Sequence, residues 1–418
     1  MLRFRFKNTY FILVFLGFYS LISCQSTKNK QIEGKTVQNI TISDQKPFTI
    51  KPGAQQTHSY LELLKNKNIA IVANQTSVIF KNDSINSHTH LVDSLLSLKI
   101  TISKVFAPEH GFRGKADAGE HILDQKDKKT GLPIFSLYGK NKKPSDKLLE
   151  GIDHVLFDIQ DVGVRFYTYI STLHYIMEAC AENNIPVIVL DRPNPNRHYV
   201  DGPVLDKKLT SFVGMHPVPT VYGLTIGEYA NMINGEKWLK NGIQCDLTVI
   251  PVANYSASSR YSLPIKPSPN LPNDQSINLY PSLCLFEGTT ISCGRGTEQQ
   301  FQIYGSPELP KKLFSFRFTP SPNFGSKYPK HEGKHCNGEN LSLHPHLEKF
   351  DLKWIKKAYD NSPNQEKFFN NFFDKLAGSF LLKKQLIAGT SISDIEKTWQ
   401  KKLKVYRKTR SNYILYSK

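Results

Sequence analysis

The chain has 418 residues, 39% of them hydrophobic and 11% aromatic, which excludes a disordered chain and points to two domains. A formal charge of +18 is what a nucleic-acid binder would carry, but the surplus is unevenly placed. Residues 351–418 hold 15 Lys+Arg against 6 Asp+Glu, while residues 52–350 hold 31 against 28. The main body is therefore close to neutral, and no nucleic-acid partner is expected.

At the N-terminus, Arg3, Arg5 and Lys7 precede a mostly apolar run from Tyr10 to Ile22. That run is short for a membrane span and suits the core of a signal peptide. It ends in Leu21-Ile22-Ser23-Cys24, which resembles the lipobox of bacterial lipoproteins. The resemblance implies cleavage after residue 23, lipid on Cys24, and an exported protein anchored to a bacterial membrane and facing the periplasm. Residues 24–51 are polar and Lys-rich and read as a flexible tether.

From residue 60, short apolar runs alternate with helical patterns. Ile69–Ala73, Ile100–Phe106, Val155–Ile159, Pro186–Leu190 and Leu247–Ile250 read as buried strands. Leu91–Leu98 and Ile170–Glu182 read as helices between them. Continuous apolar strands alternating with helices predict a Rossmann-like parallel sheet covered on both faces, spanning 52–255. Residues 256–418 read as a smaller α/β (α+β) domain. In it, Lys312–Phe318 predicts a strand. Ser393-Asp394-Ile395-Glu396 predicts a capping box, with Ile395, Trp399, Leu403 and Tyr406 on one helix face.

The strands are followed by polar residues, and open α/β sheets bind ligands beyond the carboxyl ends of their strands. Candidates there are Asn74, Glu109, His110, Arg113, Asp158, Asp161, Arg165, Tyr167, Asp191, Arg192 and Asn194. Glu109 stands between Pro108 and Gly111; a carboxyl group held at a strand end in a cleft suits general-acid work. Capping of the next turn is the structural alternative. Asp158 sits inside an apolar strand and needs a partner, for which Arg165 is a candidate; pairing of Asp161 with Arg165 is an equal alternative to catalysis. Tyr167 either stacks on a sugar ring or packs the rim.

His331-Glu332-Gly333-Lys334-His335 matches HExxH, but Pro329 and Gly333 argue for a loop, so no metal is expected. His88-Thr89-His90 reads as a polar helical face. No glycine-rich phosphate motif follows a strand, and no cofactor is expected. The five cysteines after Cys24 lack CxxC spacing, which leaves room for at most a stray disulfide.

Several segments stand in order along the chain: Ala107-Pro108-Glu109-His110-Gly111-Phe112-Arg113-Gly114, the run from Asp158 to Tyr169, Leu190-Asp191-Arg192-Pro193-Asn194-Pro195 and Asp201-Gly202-Pro203. They continue with Pro269-Asn270-Leu271-Pro272, the run from Tyr280 to Thr289, and Gly294-Arg295-Gly296-Thr297. Together they resemble the NamZ-type exo-β-N-acetylmuramidases. Thr290 departs from the family pattern, where Asn is expected. The resemblance implies an active site in the cleft between two domains and release of N-acetylmuramic acid from the non-reducing end of peptide-free peptidoglycan fragments. On that reading Glu109 is the acid, and Asp158 or Asp161 is the base or orients the substrate's acetamido group. Arg113, Arg165, Arg192 and Arg295 are candidates to clamp the lactyl carboxylate, with Glu287 and Arg295 supplied by the smaller domain. A non-catalytic glycan-binding lipoprotein is the alternative.

Overall fold

The structure, a computed structural model, describes residues 49–81, 84–114 and 125–417. The expected signal peptide, Cys24 and nearly all of the tether lie outside the described residues. Among the described residues, nine strands form in the first part: β1 (Asn68–Ala73), β2 (Val78–Lys81), β3 (Ser84–His90), β4 (Thr101–Ala107), β5 (Gln125–Lys126), β6 (Pro133–Ser136), β7 (His154–Asp158), β8 (Val187–Leu190) and β9 (Leu247–Ile250).

Seven of these make one sheet in the order β5-β6-β4-β1-β7-β8-β9. Only the β5–β6 pairing is antiparallel. The six parallel strands thus run third-second-first-fourth-fifth-sixth across the sheet, the doubly wound Rossmann order, with its switch point between β1 and β7. Alternation explains the unbroken apolar runs. Ala70, Val72, Val155, Phe157, Val187 and Val189 face one core, whereas Ile69, Ile71, Ala73, Leu156, Ile188 and Leu190 face the other. Helix Tyr169–Glu182 supplies Leu173, Ile176, Met177 and Cys180 to the first core, and helix Leu91–Ser97 supplies Leu91, Val92 and Leu95 to the second.

His88 and His90 lie on β3, not on a helix. The β2–β3 hairpin pairs Val78 with His90 and Phe80 with His88, and His90 then caps helix Leu91–Ser97 by accepting from the Val92 amide. Residues 49–51 are already docked on the body: Lys51 bridges Ala253, and Asn254 donates to the Thr49 carbonyl.

The second part carries a small antiparallel sheet ordered β10-β12-β11, from β10 (Ile303–Ser306), β11 (Phe316–Phe318) and β12 (Cys336–Asn340). The HExxH match lies in the turn between β11 and β12, with His331 at φ +63°, so its two histidines do not share a helix face. Helix Ile392–Arg410 buries Ile395, Trp399, Leu403 and Tyr406 as its periodicity predicts, but Ser391, two residues earlier than expected, is the cap. Trp399 donates to Asp201 and Tyr406 to the Tyr222 carbonyl, so this helix folds back on the first part. The first core continues through Tyr280, Phe286, Phe301 and Trp399, which makes Phe48–Lys418 one compact unit. All five cysteines in it are free and buried.

Candidate active site

The carboxyl ends of β4 and β6, together with the segment after β7, open onto a cavity of about 670 Å³. The second part closes it with residues from 268–301 and 325–328. Pro108-Glu109-His110-Gly111 forms a turn in which the Gly111 amide donates to the Pro108 carbonyl. His110 at φ +70° and Gly111 at φ +77° bend the chain there, which sets the half-buried Glu109 side chain on the cavity wall.

Thr168 donates from Oγ1 to Glu109 Oε2 at 2.8 Å. Tyr138, two residues past β6, is also bonded to Glu109; burial and then the carboxylate push its hydroxyl well above the usual tyrosine range. Tyr138 therefore keeps its proton and remains a donor in the cavity.

From the second part come Glu287 and Arg295. Arg295 Nε donates to Glu287 Oε1 at 2.5 Å, and its guanidinium carbon lies 5.2 Å from the Phe301 ring centre. Burial works against the Arg295 charge, but Glu287 more than offsets it, so Arg295 stays cationic. Asn270 donates to the Gly325 carbonyl at 2.8 Å, tying down the loop that presents Lys327 and Tyr328. Its Oδ1 is buried with no partner among the described residues.

Five predicted residues thus meet at the cavity: Glu109, His110, Tyr167, Glu287 and Arg295. The others do not line it. Asp158 is fully buried, and its partner is Arg192 rather than Arg165: Nε to Oδ1 is 2.6 Å and Nη2 to Oδ2 is 2.8 Å. Asp161 accepts from the Tyr222 hydroxyl and from the Gly163 amide at 2.6 Å, and burial pushes its carboxyl up to about 6. Among the described residues Arg165 pairs with no aspartate. Its guanidinium donates to the carbonyls of Pro203, Val218 and Leu376, and burial lowers it to about 10. It lies over Gly378, where a Cβ would stand 2.4 Å from Nη2.

Arg113 is held by Asp127 at 2.7 Å and Asp93 at 3.2 Å. Asn74 donates to the Tyr169 hydroxyl and accepts from Thr76. Asp191 accepts from Thr225, the Gly227 amide and Tyr416, and burial takes it to about 6. Asn194 donates to the Leu224 carbonyl and packs on Gly163, where a Cβ would meet Oδ1 at 2.2 Å. These residues brace the loops beyond the sheet. Three of the four arginines proposed as a clamp are committed to the scaffold, which leaves Arg295. Asp158 and Asp161 are likewise part of the scaffold, because both are buried away from the cavity lining; Asp158 is paired with Arg192, and Asp161 takes its bonds through Oδ2 while Oδ1 has no partner among the described residues.

Sequence reasoning missed Tyr138, Thr168, Asn270 and Lys327 as cavity-lining groups. Tyr138 was reachable by the strand-end rule, had Pro133–Ser136 been recognised as a strand.

Two family models cover almost the whole compact unit. The N-terminal model of exo-beta-N-acetylmuramidase NamZ matches residues 69–275, and the C-terminal model matches residues 278–416. The chain belongs to the NamZ family. It is 39% identical over 377 residues to the peptidoglycan beta-N-acetylmuramidase NamZ of Bacillus subtilis (strain 168), covering 85% of this chain and 89% of that one. Among solved structures, a DUF1343 family protein of Bacteroides fragilis NCTC 9343 superposes with a TM-score of 0.79 at 42% identity. A second DUF1343 protein of that strain gives 0.75 at 27% identity. Each alignment covers 88% of this chain and 99% of the other. The NamZ models meet between residues 275 and 278, just where helix Asp274–Leu283 begins.

Proposed function

We propose that this NamZ-family chain is an exo-acting glycoside hydrolase that releases N-acetylmuramic acid from the non-reducing end of peptide-free peptidoglycan fragments. The observation that carries the reading is Glu109, held by Thr168 and Tyr138 on the wall of a cavity that Glu287 and Arg295 also line. The similarity to the Bacillus enzyme supplies the substrate class.

Cleavage of a glycosidic bond needs a proton for the leaving oxygen and a second group at the anomeric carbon. Glu109 gives the proton. Its carboxyl is oriented through one oxygen by Thr168, so little side-chain freedom is lost on reaching the transition state. The second group is Glu287, the other carboxylate among the described residues that line the cavity, or the substrate's own acetamido oxygen. Arg295 and Lys327 are the cations that line the cavity, and Arg295 offers the fork geometry that matches the lactyl carboxylate of muramic acid. N-acetylglucosamine lacks that group. Asn270 Oδ1 is a buried acceptor suited to a sugar hydroxyl or amide N–H.

The test is Glu109→Gln on a chromogenic β-muramide. The variant keeps the side-chain shape, so loss of turnover with an unchanged unfolding midpoint supports the reading. Full turnover removes Glu109 from the acid role. A binding protein without catalysis would hold fragments and give no product in the parent chain either.

Export and lipidation at Cys24 are part of the proposal, supported by the basic start, the apolar run and the Leu21-Ile22-Ser23-Cys24 sequence. Replacing Cys24 by Ser should move the protein from the membrane fraction to the soluble periplasmic fraction. Retention in the membrane would contradict lipid anchoring.

A further inference from the structure

A second cavity, of about 560 Å³, shares none of its described lining residues with the first. It is lined by His198 from the first part and by His346 and Glu348 from the second. One ligand atom from each of these three residues lies within 4.8 Å of the other two. His198 Nε2 is 3.8 Å from Glu348 Oε2, and His346 Nδ1 is 3.7 Å from Glu348 Oε1. Around a tetrahedral zinc with bonds near 2.0–2.1 Å, neighbouring ligand atoms sit about 3.3 Å apart. The two contacts use different oxygens of Glu348, and the ligand-atom separations, which run up to 4.8 Å, reach that value when the surface side chains of His346 and Glu348 turn inward by up to about 1.5 Å.

The arrangement is built rather than accidental. Leu347 is buried, which turns its neighbours His346 and Glu348 together toward the exposed side. Asn278, 2% exposed on helix Asp274–Leu283, holds Leu347 at both ends: Oδ1 accepts from its amide at 2.7 Å and Nδ2 donates to its carbonyl at 3.1 Å. His198 Nε2 is 2.8 Å from the same carbonyl, and its ring centre is 4.7 Å from that of His346. Two imidazoles and one carboxylate make the nitrogen-rich donor set that borderline divalent metals take in preference to calcium or magnesium. Asp274, Arg260 and Arg197 line the same cavity: Asp274 favours a cation there, Arg260 opposes it, and Arg197 is paired with Glu228.

We infer that His198, His346 and Glu348 form a binding site for a zinc-class divalent cation, which staples the two parts of the chain outside the proposed muramidase cavity. On binding, His198 Nε2 exchanges its Leu347 contact for the metal and the ring proton resides on Nδ1. The Leu347 carbonyl keeps its bond from Asn278. The fourth position stays open to the cavity.

Tag-free protein titrated with Co²⁺ should develop the visible absorption of a low-coordinate site, saturating at one equivalent. Both His198→Ala and His346→Ala should abolish it. Zn²⁺ should raise the Tm of the parent by a few degrees, because ligands from both parts must be released on unfolding, and leave the two variants unchanged. Far-UV circular dichroism of both variants should match that of the parent, since neither histidine belongs to the buried core. Absence of saturable Co²⁺ binding overturns the site. So does a spectrum that persists when both histidines are replaced. Saturable binding without a rise in Tm overturns the staple.

Discussion

Replacing Asp158 by Asn separates a scaffold role from a catalytic one. The carboxylate is fully buried at the end of β7 and takes two hydrogen bonds from Arg192, itself 4% exposed. Asparagine keeps the shape but removes the charge, and Arg192 is left buried without its counter-ion. Breaking one side of such a pair costs about 3–5 kcal/mol, against a total stability of about 5–15 kcal/mol for a typical protein. Urea unfolding should therefore show a markedly lower midpoint, while kcat per folded molecule, measured well below the transition, should stay within about threefold of the parent. Replacing both residues by apolar ones of similar size should cost less than the single change, because no charge is then stranded. A loss of kcat of about 100-fold or more in Asp158→Asn, with the urea midpoint unchanged, would refute the scaffold assignment and return Asp158 to the reaction.

Three further outcomes follow from the same geometry. Asp161 rises from 3.8 to about 6 on burial, so the folded state holds a proton the unfolded chain has lost between those values. Its contribution to stability is largest below pH ~4 and falls by about 3 kcal/mol as pH rises through 6. Asp161→Asn should flatten the stability curve of the parent across that window, and parallel curves would contradict the burial argument. Thr168→Val removes the donor to Glu109 Oε2 and should lower kcat roughly 5–10-fold, the effect of one hydrogen bond of about 1 kcal/mol, with KM little changed. Arg295→Met should depress kcat/KM for a muramide far more than for the matching glucosaminide, since only the former carries the carboxylate; equal losses would mean that Arg295 merely holds Glu287.

Much of the fold was legible because burial on both faces writes itself as an unbroken apolar run. The five predicted strands lie within one residue of β1, β4, β7, β8 and β9 at each end. The strands that escaped have the opposite character. β6 starts on a proline and is only half buried, and β3 carries Ser, Asn and His with too little apolar content to show a period. Missing β6 also hid Tyr138. At the site, the strand-end rule found Glu109 but over-collected charged neighbours. Arg165 and Arg192 follow strands as a substrate clamp would, yet their partners are carbonyls 38 to 211 residues away and an aspartate 34 residues away. A sequence states that a buried charge needs a partner, not which one it finds. The small second part was legible only as motifs, because its contribution to the cavity comes from loops with no periodicity.

The central claim is the bond that is cut. Purified protein should be incubated with peptide-free glycan fragments of defined length that carry N-acetylmuramic acid at the non-reducing end, and the products followed by mass spectrometry. Free N-acetylmuramic acid should appear from the first time point, with the remaining chain shortened by that one sugar. Release of N-acetylglucosamine, internal cleavage, or saturable binding without any product would contradict it.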